Sequence, residues 1–254
     1  MNILLVQADM SWQSPAVNCE RFEMLVAGAG KADLIVLPEM FATGFITEPT
    51  ETLDREGESL LEWMRNLARE CDAAVVGSAA VEDCGLLYNR CYFVRPDGSF
   101  EFYDKRHLFS PGGEDKGYTA GRERVIVEWS GFRILLQVCY DLRFPVFSRN
   151  RGDYDMALYV GNWPRSRRKV WDVLLRARAI ENACYVAGVN RVGKDPGSNY
   201  DGGTCLVDFR GDVAGMAADN KEETLLLHAD IDELRDFRNG FHVLDDADGF
   251  ELRI

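Results

Sequence analysis

No Cys-x-x-Cys pair occurs anywhere in the 254 residues, and only three histidines are present. The seven cysteines (Cys19, Cys71, Cys84, Cys91, Cys139, Cys184 and Cys205) are odd in number and widely scattered. Zinc ribbons and thioredoxin-like sites need closely spaced thiols, so neither a metal nor a cofactor is expected. Long apolar runs are missing too: nothing approaches the ~18 residues that a membrane helix requires. Basic charge is scarce, with 29 Lys and Arg against 42 Asp and Glu for a formal net charge of -13. Nucleic acids and anionic membranes select basic patches, so neither is an expected partner. The opening Met1-Asn2-Ile3-Leu4-Leu5-Val6 has no basic leader or cleavage site. No signal peptide is therefore expected, and reduced thiols in a cytoplasmic setting are the simplest reading. Repeats, low-complexity stretches and flexible linkers are also lacking, so residues 1–254 read as one domain with ample material for a core. The acids Asp245, Asp246, Asp248 and Glu251 read as a solvated tail.

Short apolar runs recur at 3–8, 34–37, 73–80, 91–95, 100–103, 125–128, 133–138, 156–160, 184–189, 204–209 and 224–231. Many are continuous rather than alternating, which predicts strands covered on both faces. Arg95-Pro96-Asp97-Gly98 is a hairpin turn signal. Helical spacing predicts helices over 15–29, over 59–71 with Leu60, Leu61, Met64, Leu67 and Ala68 on one face, and after Pro145. A further helix over 167–182 is expected to present Val170, Val173, Leu174, Ala177 and Ile180. Together these describe a layered α/β fold with parallel and antiparallel pairing.

Three apolar runs end on reactive groups. The run at 34–37 leads to Glu39, the run at 100–103 to Lys105, and the run at 134–138 to Cys139. Ligands collect at strand exits, so an acid, an amine and a thiol delivered there predict a catalytic set. A free thiol titrates near ~8.5 and needs a base or a nearby cation to become a nucleophile. Glu39 supplies the base if partly buried. Lys105 favours the thiolate and donates to an oxyanion, with the Tyr140 N–H as second donor. Such donors typically contribute about 3–4 kcal/mol each. The implied reaction is acyl transfer through a thioester, with water as second substrate. Each residue also has an ordinary reading: Cys139 as a small buried hydrophobe, Glu39 as a loop acid or cap, Lys105 and Arg106 as a solvated pair. A cysteine–histidine couple is the usual alternative, but His107 reads as a structural hydrogen-bonding group, His228 as an outward strand residue and His242 as a loop residue.

The segments Leu37-Pro38-Glu39-Met40-Phe41, Tyr103-Asp104-Lys105-Arg106-His107-Leu108 and Val138-Cys139-Tyr140-Asp141-Leu142-Arg143-Phe144-Pro145 resemble the three signature segments of the nitrilase superfamily of carbon–nitrogen hydrolases. The resemblance implies a four-layer α-β-β-α sandwich, and association of like subunits into a homodimer or higher oligomer. It implies Glu39 as general base, Lys105 as oxyanion stabiliser, Cys139 as nucleophile and Glu114, beside Asp115, as a second glutamate near the thiol. The stretches 159–164 and 176–182 resemble those of bacterial omega-amidases, which hydrolyse the terminal amide of 2-oxoglutaramate and 2-oxosuccinamate, in methionine salvage or glutamine transamination. Nitriles, N-carbamoyl compounds and other acid amides are alternatives, as is a catalytically idle scaffold subunit. An anionic amide needs a cation for its distal carboxylate, for which Arg143, Arg165, Arg167 and Arg168 are candidates by proximity to strand ends. For Arg143 a structural ion pair with Asp141 or another acid is the slightly favoured reading. Arg178 and Glu181 are expected to brace each other. Phe41 and Trp163 follow strand ends and are candidate pocket walls.

Overall fold

The computed structural model describes residues 1–48, 54–55 and 58–253. In chain order the elements are β1 (Asn2–Gln7), α1 (Pro15–Ala27), β2 (Leu34–Val36), β3 (Asp54–Arg55), α2 (Glu58–Cys71), β4 (Ala74–Asp83), β5 (Leu86–Val94) and β6 (Phe100–Asp104). Then follow α3 (Glu114–Gly117), β7 (Ile126–Trp129), β8 (Phe132–Val138), α4 (Pro145–Ser148), β9 (Met156–Gly161), α5 (Arg168–Asn182) and β10 (Tyr185–Asn190). The chain closes with β11 (Val192–Lys194), β12 (Asn199–Asp201), β13 (Cys205–Val207), β14 (Val213–Met216), β15 (Glu223–His228) and α6 (Ile231–Gly240). One sheet runs β15-β1-β2-β4-β5-β6 with β3 beside β4, and a second runs β14-β13-β10-β9-β8-β7. β11 and β12 form a separate ribbon.

The continuous apolar runs explain the layering. Successive side chains on a strand point to opposite faces. In the first sheet Ile3, Leu5, Leu34, Val36, Cys91 and Phe93 share one cluster with Ile134 and Leu136 of the second sheet. Their neighbours Leu4, Val6, Ile35, Val75, Tyr92 and Val94 instead meet Phe22 of α1 and Met64 of α2. The second sheet carries α5 on its outer face, close enough that a Cβ on Gly188 would lie 2.4 Å from Leu175. The result is the expected α-β-β-α sandwich.

α2 buries the five residues that its spacing singles out. α5 does not: it buries Trp171, Leu175, Arg178, Ala179 and Asn182, while Val173 and Ile180 are exposed. The polar members of this face are bonded, which is what allows them inside, with Arg178 Nε alone left without a partner among the described residues. Arg178 donates to the Leu142 carbonyl at 2.6 Å and pairs with Glu181 at 2.8 Å, and Asn182 accepts from the Asn150 N–H at 2.9 Å. The run at 224–231 also divides: β15 ends at His228, and Asp230 caps α6 by accepting from the Asp232 and Glu233 N–H groups. The acidic tail is exposed, as expected. Among the described residues no helix is long and apolar enough to cross a membrane.

Candidate active site

The three reactive groups do not leave a single sheet. β2 and β6 belong to the first sheet, and they run the same way because two antiparallel steps, β4–β5 and β5–β6, restore the direction. β8 belongs to the second sheet and runs parallel to β9. The site therefore lies where strand ends of both sheets meet.

Cys139 follows directly after β8, in a left-handed conformation with φ +45° that opens a short 3-10 helix, Cys139–Arg143. A non-glycine residue held there costs on the order of 1–3 kcal/mol and persists only when its surroundings over-determine it. Asp141 does so. Its buried carboxylate accepts from the Val138 N–H (2.9 Å), the Tyr103 hydroxyl (2.8 Å) and the His107 N–H (2.9 Å), and meets His107 Nδ1 at 2.8 Å. His107, stacked on Phe144 at 3.9 Å, thus has the bracing role expected of it. The expected ion pair of Arg143 with Asp141 or another acid is not formed among the described residues, the Asp141 carboxylate being filled by other donors.

Glu39 is fully buried and reached through Leu37, whose N–H continues the β2–β4 ladder to Val76. Its Oε1 accepts from Lys105 Nζ at 2.9 Å and from Asn89 Nδ2 at 2.8 Å, while Oε2 accepts from the Asn162 N–H at 2.8 Å. Asn162 also donates through Nδ2 to the Glu39 carbonyl at 2.6 Å. Glu114 opens α3 and meets Lys105 Nζ at 2.8 and 3.1 Å, with further bonds from Asn89 Nδ2 (2.9 Å) and the Phe109 N–H (2.6 Å). Glu39, Lys105 and Glu114 thus form one buried cluster, and the charges of Glu39 and Lys105 both act on the Cys139 thiol.

The charges settle the resting state. Burial pushes the Cys139 thiol well up, the Glu39 charge adds to that, and the Lys105 ammonium opposes both without prevailing. The sulfur therefore rests as a thiol, and the expectation that Lys105 favours the thiolate is outweighed. Burial by itself would lower Lys105, but Glu114 and Glu39 more than compensate and hold it above the usual lysine range. Glu114 is raised, by burial first and by Glu39 against the opposing pull of Lys105. A thiol that must lose its proton beside a carboxylate, facing an ammonium that stays charged, is equipped for general-base-assisted attack on a carbonyl.

Glu39, Lys105 and Cys139 face a cavity of about 440 Å³ walled by Phe45, Phe109, Tyr140, Trp163 and Tyr200, among others, whereas Glu114 lies outside its lining. Tyr140 and Trp163 lie where expected. Phe41 does not: it is fully buried beneath the first sheet, with its ring 5.9 Å from Phe22 and 5.3 Å from Trp63. Met40 adopts φ +42°, and this bend sends Phe41 back into the core, so that Phe45 supplies the aromatic wall. The four arginines also separate. Arg168 is held by Asp172 and Asp219 at 2.8 Å each, and Arg165 is mostly exposed, 4.0 Å from Asp201. Arg143 and Arg167 line the cavity without a carboxylate partner among the described residues, their guanidiniums 5.1 Å from the Trp163 ring and 5.0 Å from the Phe109 ring. Asp195 also lines the cavity, but its oxygens accept from the Tyr200 hydroxyl (2.6 Å) and the Gly197 and Ser198 N–H groups (2.8 and 2.7 Å).

The family model for carbon–nitrogen hydrolases matches residues 3–239. The chain belongs to the carbon–nitrogen hydrolase family. It is 44% identical to the omega-amidase YafV of Yersinia enterocolitica, over 99% of this chain and 98% of the relative. It is 32% identical to the 2-oxoglutaramate amidase of Bacillus subtilis, over 96% of each. Among solved structures, the CN-hydrolase superfamily protein XC1258 of Xanthomonas campestris, described with an arsenic adduct in its active site, superposes with a TM-score of 0.94. It shares 41% identity, covering 100% of this chain and 99% of that one.

Three polar residues of this carbon–nitrogen hydrolase escaped the sequence reading of its site: Asn89, Ser78 and Asn162. Asn89 left one signal, as a polar residue at the head of the apolar run 91–95, where a buried amide must find partners. Asn162 lies two residues past the run at 156–160, a fourth strand exit that carries no charge to mark it.

Proposed function

We propose that this carbon–nitrogen hydrolase, an amide-hydrolysing enzyme, acts on the terminal amide of small 2-oxo acid amides such as 2-oxoglutaramate and 2-oxosuccinamate. The observation that carries the reading is the pair of guanidiniums, Arg143 and Arg167, that line the same cavity as Cys139 without a carboxylate partner among the described residues. A substrate with an amide at one end and a carboxylate at the other suits that arrangement, because guanidinium groups bind carboxylates in bidentate fashion. Glutamine would bring an α-ammonium towards the same two cations, and the Asp195 carboxylate is already occupied by its own loop. The names of the Yersinia and Bacillus relatives support the same substrate class.

In the proposed reaction Cys139 Sγ attacks the amide carbon while Glu39 takes the thiol proton. The new C–S bond leaves an oxyanion facing the Lys105 ammonium and the Tyr140 N–H, which lies in the first turn of its helix where N–H groups have no helical carbonyl. Collapse breaks the C–N bond as Glu39 returns the proton to nitrogen, and ammonia departs. A water molecule, deprotonated by Glu39, then attacks the thioester. The C–S bond breaks, the proton goes back to sulfur, and the dicarboxylate leaves.

Ammonia release by the purified protein from 2-oxoglutaramate, glutamine, a nitrile and an N-carbamoyl amino acid tests the reading. Turnover should be fastest on 2-oxoglutaramate; turnover of the nitrile alone would remove it. Arg143→Met and Arg167→Met should each raise KM for 2-oxoglutaramate about tenfold or more, the loss of a charge-assisted bond of about 1.5–3 kcal/mol, with a smaller change in kcat. Unchanged KM in both variants would place the distal carboxylate elsewhere.

A further inference from the structure

Asn89 lies on β5, fully buried, and bonds directly to two groups of the candidate site. Its carboxamide nitrogen donates one hydrogen to Glu39 Oε1 (2.8 Å) and the other to Glu114 Oε1 (2.9 Å). Its carbonyl side-chain oxygen accepts from the Ser78 hydroxyl at 2.8 Å. Ser78 Oγ in turn accepts the Met40 N–H at 2.9 Å, so the hydroxyl hydrogen is committed to Asn89 and the carboxamide cannot turn over. The main-chain oxygen of Asn89 accepts the Lys105 N–H at 3.0 Å. One residue thus locates both glutamates through its side chain and the lysine through its backbone.

We infer that Asn89, locked by Ser78, is a positioning residue that keeps Glu39 ionised and aimed at the Cys139 thiol by sharing a neutral double donor between Glu39 and Glu114. The inference rests on the reading of Glu39 as the base. Two carboxylates and one ammonium leave the buried cluster with an excess negative charge, and burial favours taking up a proton. A second cation would cancel that excess but would also quench the base. A carboxamide stabilises the ionised acids without adding charge, because hydrogen bonds to a carboxylate favour its charged form. The ionisable groups that act on Glu39 from the surrounding elements are Lys105 after β6, Glu114 on α3, Tyr118 beyond it, Cys91 on β5, Cys139 after β8 and Tyr200 on β12. Burial raises the tyrosines and cysteines, which therefore stay neutral in acid.

The test is the pH dependence of kcat and KM for 2-oxoglutaramate, from about pH 5 to about pH 9, in Asn89→Leu and Ser78→Ala. Asn89→Leu should lower kcat about a hundredfold, change KM less than about threefold and move the acid limb of kcat/KM up by about one pH unit. Ser78→Ala should shift the same limb in the same direction by less, and it decides the matter if Asn89→Leu does not fold. Alkylation of Cys139 by iodoacetamide, followed by peptide mass, should show the same displacement without any substrate. A loss of kcat with an acid limb superimposed on that of the parent would reduce Asn89 to a packing residue and overturn the inference, as would a change in KM alone. Failure of the parent protein to release ammonia would instead remove the amidase reading, and the alkylation profile would still decide the role of Asn89.

Discussion

Cys139→Ala should release no measurable ammonia from 2-oxoglutaramate, a loss of about 10⁵-fold or more. The expectation follows from geometry and charge together. In the proposed reaction the sulfur is the nucleophile; Lys105, the other described lining residue with a potential nucleophile beside Glu39, stays protonated. The fold should survive, because Asp141 holds the bend after β8 through bonds to Val138, Tyr103 and His107 that do not involve the sulfur. Circular dichroism and a melting temperature within a few degrees of the parent would establish that the loss is chemical. Near-normal turnover by the alanine variant would end the thioester mechanism.

Lys105→Ala should lower kcat about 10³-fold or more, with KM altered only a few-fold. An oxyanion donor acts on the transition state rather than on the bound substrate, and its loss typically costs about 3–4 kcal/mol. This variant should also be less stable, because it leaves Glu39 and Glu114 buried without their shared cation; breaking such a pair costs about 3–5 kcal/mol. The stability deficit should depend on pH. Glu114 is raised in the folded protein, and removing the opposing pull of Lys105 raises it further. A carboxyl group whose folded value lies above its unfolded value stabilises the protein most below the unfolded value, and that contribution is lost as pH rises through the folded one. The gap in melting temperature between variant and parent should therefore narrow as pH falls from about 8 to about 5. A drop confined to KM would place Lys105 in ground-state binding, and a gap independent of pH would show that neither acid takes up a proton.

Much of this architecture could be read from the chain because its strands are covered on both sides. The run at 156–160 is apolar throughout and that at 133–138 is broken only by Arg133 and Gln137; both are bounded by polar turns, and β9 and β8 formed there. β5 began five residues before the run at 91–95, because Asn89 and Arg90 interrupt the apolar pattern with groups whose partners lie elsewhere in the fold. α5 turned a different face inward for the same reason: Arg178 and Asn182 are buried by specific bonds that no periodicity encodes. Glu39, Lys105 and Cys139 were legible because each follows an apolar run and carries distinctive chemistry. Asn89 and Asn162 were not, since a neutral amide announces nothing until the carboxylate it serves is known. Phe41 and Phe45 could not be told apart in advance, because the difference between core and pocket is made by the backbone bend at Met40.

The left-handed bend at Cys139 ties reactivity to tension in the chain. An extended backbone at that position would suit the strand better, yet it would swing the sulfur off its carboxylate and out of the chamber. Engineering for heat tolerance therefore has to leave this corner taut and look for its gains in distant helices, where slack can be removed without disarming the enzyme.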